Sequence, residues 1–464
     1  MLRLIASVVI LAPLAVSGAS MCSPRVVSGI DGLRGRVSPT RRPSSGATLA
    51  APYEQESEVV EGTDMSEVVR NLNAISLERH RAHTVTADAP PSTDPFSLVA
   101  DDIAPLSGSV CDQLSADQQT LMESAQYFFG AGNARQGKRV RPVIVLLMGQ
   151  ATAQPHHARA ESAAADADGE GSKWYGKQLS LAAITEMIHT ASLVHDDVLD
   201  AADTRRGAEA VHKLYSNKAA VLSGDYLLAR ASIALARLEH AEVTQQMARS
   251  LESLVQGEIM QLRSTAEERL SLEYYLTKSY CKTASLMALS CKSAALLSEH
   301  PLDSDAAVAA EKFGYHFGLA FQVSVGPHTP SLRPEPSRLT PRVSPRASVR
   351  PSQVIDDLLD YTQDAAELGK PGLQDLALGL STAPVLYASE EFPELTALIE
   401  RKFAQPGDVA RAVDLVSQSR GLQRTKELAT FHAQAAVDAA SVFPEGEARD
   451  GLIALCHIVL SRSS

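Results

Sequence analysis

From residue 94 to the C-terminus, apolar side chains recur at intervals of three and four, the spacing that lines one face of a 3.6-residue helix. The runs 179–193, 226–238, 243–262, 272–297 and 306–321 all follow it, and no stretch alternates with the period of two that a half-buried strand needs. The expected class is all-α. Composition agrees: 45% of the 464 residues are hydrophobic, enough for a large core. Only 5% are aromatic, with one tryptophan, Trp174, which favours small-residue helix packing over a β-sandwich. A net charge of −12 argues against nucleic-acid binding through a basic surface. The five cysteines (Cys22, Cys111, Cys281, Cys291, Cys456) form no CxxC pair, as expected of a reduced compartment.

Three regions break the helical pattern. At the N-terminus, Arg3 precedes an apolar run (4–16) and small residues, so 1–19 reads as a signal-like segment too short to span a bilayer. Residues 20–90 read as transit-peptide-like and mostly disordered; up to residue 52 they carry five arginines against one acid, Asp31. The two together point to a plastid reached through a bipartite signal, with the mitochondrion as the alternative. No helix of 94–464 reads as membrane-spanning, so any membrane contact is expected to be peripheral. Residues 151–177, rich in Ala, Asp, Gly and His, read as a surface loop, with His156 and His157 in solvent rather than on a metal. Residues 323–353 hold seven prolines, six serines and five arginines. Proline cannot continue a helix.

The chemistry is concentrated in carboxylates. His195-Asp196-Asp197-Val198-Leu199-Asp200 lies inside an apolar helical run. Asp196 and Asp200 are four apart and share a face, with Asp197 at its edge. Carboxylates so crowded are costly to bury without a cation, and hard oxygen donors suit Mg²⁺ bridging to phosphates. A second copy, Asp356-Asp357-Leu358-Leu359-Asp360, implies two acidic walls facing one another across a bundle. Basic residues accompany them: Lys138 and Arg141 one turn apart, Arg205-Arg206, Lys282-Thr283, and Lys370. His189 stands seven residues before Asp196, two turns away on the same face. This set reads as clamps for two diphosphates. Ala191 and Ser192, about one turn below Asp196, are small enough to leave open a channel for a growing chain.

These residues fall in strings that resemble the long-chain trans-polyprenyl diphosphate synthases, the solanesyl and decaprenyl group: GKRVRP (137–142), EMIHTASLVHDDVLDAADTRRG (186–207), SGDYLLARA (223–231), VQGEIMQL (255–262), CKTASL (281–286), FGLAFQ (317–322), DDLLDYTQDAAELGKP (356–371) and STAPVLYA (381–388). The resemblance covers 94–464. It implies a single large helical bundle of the trans-isoprenyl diphosphate synthase type around a central cavity. By it, Asp196, Asp200 and Asp356 carry Mg²⁺, with Asp197, Asp357 and Asp360 in support. Arg205, Lys282, Thr283 and Lys370 meet the allylic diphosphate, farnesyl or geranylgeranyl. Lys138, Arg141, His189 and Arg206 hold isopentenyl diphosphate, and Gln322 lines the cationic reaction centre. Repeated condensation would build a long polyprenyl diphosphate for quinone side chains, with a homodimer, or a heteromer, as the working form.

One departure puts this in doubt. In relatives the second acidic motif follows FQ within two residues; here 323–353 intervenes. Three readings fit: a tolerated loop, a retained untranslated segment, or a regulatory linker. Removing the segment restores AFQVIDDLLDY in frame. A catalytically impaired partner subunit, or a mis-spliced isoform, is the alternative function. A terpene cyclase is disfavoured, since it needs no isopentenyl site. Ala201 and Ala377 also depart from the family pattern without removing a ligand.

Overall fold

The computed structural model describes residues 93–114, 118–129, 139–157, 170–205, 208–323, 376 and 378–461. After a single 3₁₀ turn come helices α1 (Ala100–Gln113), α2 (Gln119–Gln126), α3 (Val140–Ala151) and α4 (Glu170–Leu199). A two-residue antiparallel hairpin, β1 (Thr204–Arg205) and β2 (Ala208–Glu209), leads to α5 (Val211–Tyr215), α6 (Asn217–Arg237), α7 (Ala241–Arg263), α8 (Ala266–Arg269) and α9 (Leu272–Ser279). A π-helical turn, Tyr280–Ala284, joins α9 to α10 (Ser285–Leu297), followed by α11 (Asp305–Val323). The C-terminal part holds α12 (Ala383–Ser389), α13 (Glu394–Glu400), α14 (Asp408–Gln418), α15 (Gly421–Ala440) and α16 (Glu447–Ser461).

The all-α expectation is met, the hairpin being its one exception among the described residues. The main core is built from the apolar faces of α3, α4, α10, α11, α15 and α16. Its largest fully buried side chains include Phe313 and Phe317 of α11 and Ile184, Met187 and Ile188 of α4. A second cluster gathers Tyr275, Leu276 and Val323 with the C-terminal helices α12 to α15. Val323 is fully buried and still helical, so the regular helix runs through the first residue of the proline-rich segment. The remainder of that segment lies outside the described residues, as do 1–92.

Helix α4 has 30 residues, hence about 45 Å of axis. Its middle is buried on nearly every side (Leu181, Ala182, Ala183, Ile184, Met187, Ile188, Ala191), which makes it the pillar of the bundle. The loop expected over 151–177 is shorter than the sequence suggested. Helix α4 already begins at Glu170, and Trp174 and Gln178 are buried against Ser298 at the end of α10: Trp174 Nε1 and Gln178 Nε2 donate to its hydroxyl at 3.3 and 3.1 Å. His157 is likewise buried, stacked on Trp174 with ring centroids 4.5 Å apart. The solvated-loop reading of this histidine is therefore corrected; His156 alone stays exposed.

Helix α6 is long and apolar enough to cross a bilayer by length and composition, and a third of that window is buried. It also carries Asp225 and Arg230 and packs Ala220, Gly224, Leu227 and Ala231 into the bundle.

Candidate active site

The last turn of α4 carries Asp196 and Asp197, and Asp200 follows its final residue, its N–H donating to the Asp196 carbonyl at 2.8 Å. Ala201 ends the helix in the left-handed conformation (φ 52°). Facing them across the site is α7, whose Glu258 meets Lys282 of the π turn: Oε1 to Nζ is 2.5 Å, and Gln261 Oε1 accepts from the same ammonium at 3.1 Å. Regular α-helix repeats every 3.6 residues; a π turn holds one more residue per rotation and re-aims what it carries. Tyr280, Cys281 and Ala284 are buried in the bundle, while Lys282 and Thr283 are half-buried at the site. Thr283 Oγ1 donates to Gln322 Oε1 at 2.7 Å, tying the turn to the end of α11. Both junctions need close backbone approach. A methyl group at Gly257 would sit 2.7 Å from Lys282 Cγ, and one at Gly318 only 2.5 Å from Ala284 Cα.

Asp196 feels burial first, then the repulsion of Glu258 and Asp200, opposed by Lys282 and Arg205; its carboxyl is pushed up to about 7. Burial also raises Asp200, against the pull of Lys282. Asp196, Asp200 and Glu258 thus crowd around too little positive charge. This set of hard oxygen donors fits a divalent cation such as Mg²⁺.

Asp197, expected at the edge of the Asp196–Asp200 face in a supporting place, has its own partner. It is fully buried and turns to Arg205 of β1, which donates through Nε at 2.7 Å and Nη2 at 2.5 Å. Burial raises its carboxyl more than Arg205 lowers it. The other oxygen, Oδ2, is buried without a hydrogen-bond partner among the described residues. The pair ties the hairpin to the end of α4 and positions Arg205, whose charge is also felt by Asp196 and Asp200.

One helix up, Arg141 of α3 reaches His189 of α4, Nη1 to Nε2 2.9 Å, so two of the residues assigned to isopentenyl diphosphate stand together. Ala191 is fully buried, and Ser192 bonds back to the His189 carbonyl at 2.8 Å. Lys138, Arg206, Lys370, Asp356, Asp357 and Asp360 lie outside the described residues.

Sequence reasoning missed Glu258 and Gln261. Both stand in VQGEIMQL (255–262), one of the strings that carry the resemblance, but they were given no role, although their spacing of three places both polar ends on one face of α7. It also missed His195, whose Nε2 lies 3.1 Å from the Val221 carbonyl and 3.6 Å from Asp225 of α6. Elsewhere, His156, His157 and Glu299 bring possible metal donors within 4.8 Å of one another. His157 Nδ1 accepts the Gln154 backbone N–H at 3.1 Å, however. Its proton therefore sits on Nε2, the atom nearer Glu299, and the group lacks a second imidazole lone pair to offer.

An acidic helix end opposed by a lysine on an interrupted helix, within an all-α bundle, is an arrangement that can hold a divalent cation beside an anionic ligand. Comparison with known proteins gives the class. The family described as polyprenyl synthetase matches residues 118–324 and 352–416, and the chain belongs to it. The match breaks off across 325–351, inside the proline-rich segment.

The chain is 41% identical over 359 residues to solanesyl-diphosphate synthase 1, mitochondrial, of Oryza sativa (77% of this chain, 75% of that one). It is 40% identical over 376 residues to solanesyl diphosphate synthase 3, chloroplastic/mitochondrial, of Arabidopsis thaliana (80% of each). Among solved structures, polyprenyl synthase from Caulobacter crescentus complexed with calcium and isoprenyl diphosphate superposes with a TM-score of 0.61 at 27% identity (80% of this chain, 97% of that one). The protein is a trans-prenyltransferase acting on isoprenyl diphosphates.

Proposed function

We propose that the protein extends an allylic diphosphate, farnesyl or geranylgeranyl, with repeated units of isopentenyl diphosphate to a product of solanesyl or decaprenyl length. The observation that carries this reading is the approach of Lys282 to Asp196 and Asp200, with the neighbouring Thr283 fixed to Gln322. It is supported by the printed names of the solanesyl-diphosphate synthase relatives.

Asp196 and Asp200 would hold Mg²⁺, with the second acidic motif (Asp356, Asp357, Asp360) contributing to the opposite wall. Mg²⁺ would supply Lewis-acid stabilisation of the departing pyrophosphate. Lys282, with Arg205 and Lys370, binds the allylic diphosphate and meets the negative charge that grows on it as the carbon–oxygen bond breaks. Arg141 and His189, with Lys138 and Arg206, hold isopentenyl diphosphate so that its double bond faces the allylic carbon. Thr283 and Gln322 fix the wall beside the cationic carbon and exclude water from it. The proton lost after carbon–carbon bond formation goes to the pyrophosphate.

The exposed Leu222 of α6 and Val255, Ile259 and Leu262 of α7 are the surface a second copy would cover in a homodimer. An organelle is the proposed location, a plastid by the bipartite N-terminus. The relatives' names include mitochondrial and chloroplastic/mitochondrial forms.

The test is incubation of the full chain with farnesyl or geranylgeranyl diphosphate, labelled isopentenyl diphosphate and Mg²⁺, with the lipid products separated by chromatography. Long-chain products support the reading. The same assay on a chain lacking 323–353 examines the second reading, an impaired subunit, which the break in the family match favours. Extension by the shortened chain alone would establish it.

A further inference from the structure

Beyond Leu199 no further turn of helix backs the carboxylates, because Ala201 leaves α4 in the left-handed conformation. Asp196, Asp200 and Glu258 also repel one another there. Apolar contact holds this end: Val194 and Val198, four apart, pack with Val211 and with Ala220 of α6. Such contact is non-directional and leaves a helix free to turn about its own axis. With side chains about 5–6 Å from that axis, a turn of about 10° carries a carboxylate through roughly 1 Å. A displacement of that size at a reacting centre is worth about 100-fold in rate.

His195 fixes the direction. It stands one residue before Asp196, and its side chain is mostly buried. Its Nε2 lies 3.1 Å from the Val221 carbonyl of α6. A carbonyl can only accept, so Nε2 carries the hydrogen and donates it. Asp225, one turn along the same face of α6, places Oδ1 3.6 Å from the same nitrogen and attracts its N–H. Gly224 leaves the room: a methyl group there would run into the imidazole. Val221, Gly224 and Asp225 thus form a seat for one ring, made of an acceptor, a gap and a charge. We propose that His195 is a positioning residue, which locks the rotation of the α4 end against α6 and so aims Asp196 and Asp200 at their metal. This rests on the reading of those two carboxylates as metal ligands.

The test compares His195→Gln, whose amide can still donate to Val221, with His195→Met, of similar length but without a donor. In both, the Val221 carbonyl keeps its helical bond from the Asp225 N–H, and the thermal midpoint controls for folding. The full chain is titrated with Mn²⁺ in the presence of inorganic pyrophosphate, with free Mn²⁺ read by electron paramagnetic resonance. His195→Met should bind Mn²⁺ about 10–100-fold more weakly than the wild type, and His195→Gln should recover most of the loss. Gly224→Ala expels the ring while the histidine stays in the sequence. It should match His195→Met, and the double variant should be no worse than either. The Mg²⁺ needed for half-maximal condensation should rise in parallel. Wild-type Mn²⁺ affinity in His195→Met overturns the proposal. So does a His195→Gln as weak as His195→Met, or a double variant in which the losses add. A wild type that binds Mn²⁺ with pyrophosphate but makes no lipid would instead overturn the proposed function, and the Mn²⁺ comparison would still stand.

Discussion

Glu258 Oε1 lies 2.5 Å from Lys282 Nζ, which puts the lysine's ammonium between a carboxylate of α7 and the acidic end of α4. Both side chains are about four-fifths buried. Without Glu258 the lysine keeps its charge but loses the partner that aims it. The variant Glu258→Gln should lower kcat/KM for the allylic diphosphate by about 10–100-fold, with Glu258→Asp recovering part of it. Steady-state kinetics with varied allylic substrate check this. Unchanged kinetics in Glu258→Gln would remove Glu258 from the site.

The raised carboxyl of Asp196 sets a pH dependence. In the metal-free protein it holds its proton up to about pH 7, so a metal must displace that proton at lower pH. Apparent Mg²⁺ affinity should therefore climb with pH up to about 7, by at most about tenfold per unit, and level off above. Calorimetry with an unreactive allylic thiodiphosphate at several pH values measures it, and a flat profile would contradict it. The same shift makes the metal-free fold bind more protons than the unfolded chain between the ordinary carboxylate range and pH 7. Its contribution to stability accordingly falls as pH rises across that window.

The close contact of Gly318 with Ala284 predicts a stability effect with a functional signature. Gly318→Ala drives a methyl group against backbone, an overpacking cost of about 1–3 kcal/mol. It also separates Thr283 from Gln322. The thermal midpoint should drop by several degrees, and kcat should fall further than that loss of folded protein explains. Calorimetry and kinetics on one preparation separate the two.

Acid should loosen the bundle at a second place. His316 of α11 and His432 of α15 meet Nδ1 to Nδ1 at 2.9 Å. Burial, helped by Lys312, lowers His316 to about 4. The unfolded histidine titrates near 6.5. The stability held above that value is thus lost as pH falls from about 6.5 towards 4, by roughly 3 kcal/mol over the full window. Urea midpoints at pH 7.5 and 5 should show the loss, and His316→Asn should shrink it.

Chain length offers a product-level test. Ala191 is buried one turn below Asp196. Ala191→Phe or Ser192→Phe should shift the product to fewer isoprene units while leaving the first condensation intact. Chromatography of the dephosphorylated lipids reads this directly, and an unchanged product distribution would place the tunnel elsewhere.

The helices of the core were legible because burial repeats with the helical period, as in α11, where Phe313, Phe317 and Phe321 fall four apart. Periodicity failed where tertiary contact decides. Residues 170–178 carry glycines and lysines with no apolar stripe, yet they extend α4 because Trp174 and Gln178 find Ser298. The π turn was equally hidden, since the apolar run 272–297 continues through it and only the phase changes. Asp196, Lys282 and Thr283 could be placed from spacing and resemblance. Glu258 could not, because its importance comes from the lysine of another helix. Helical phase put Asp197 at the edge of the Asp196–Asp200 face, since a step of one residue turns a side chain by about 100°, but its partner Arg205 could not be read from spacing.

The extra residue in the Tyr280–Ala284 turn offsets the phase of α10 from that of α9. A strictly regular helix through this point would set α10 about 100° round from where it lies, so the turn lets one continuous rod serve two neighbours at once: α9 the C-terminal cluster and α10 the main core.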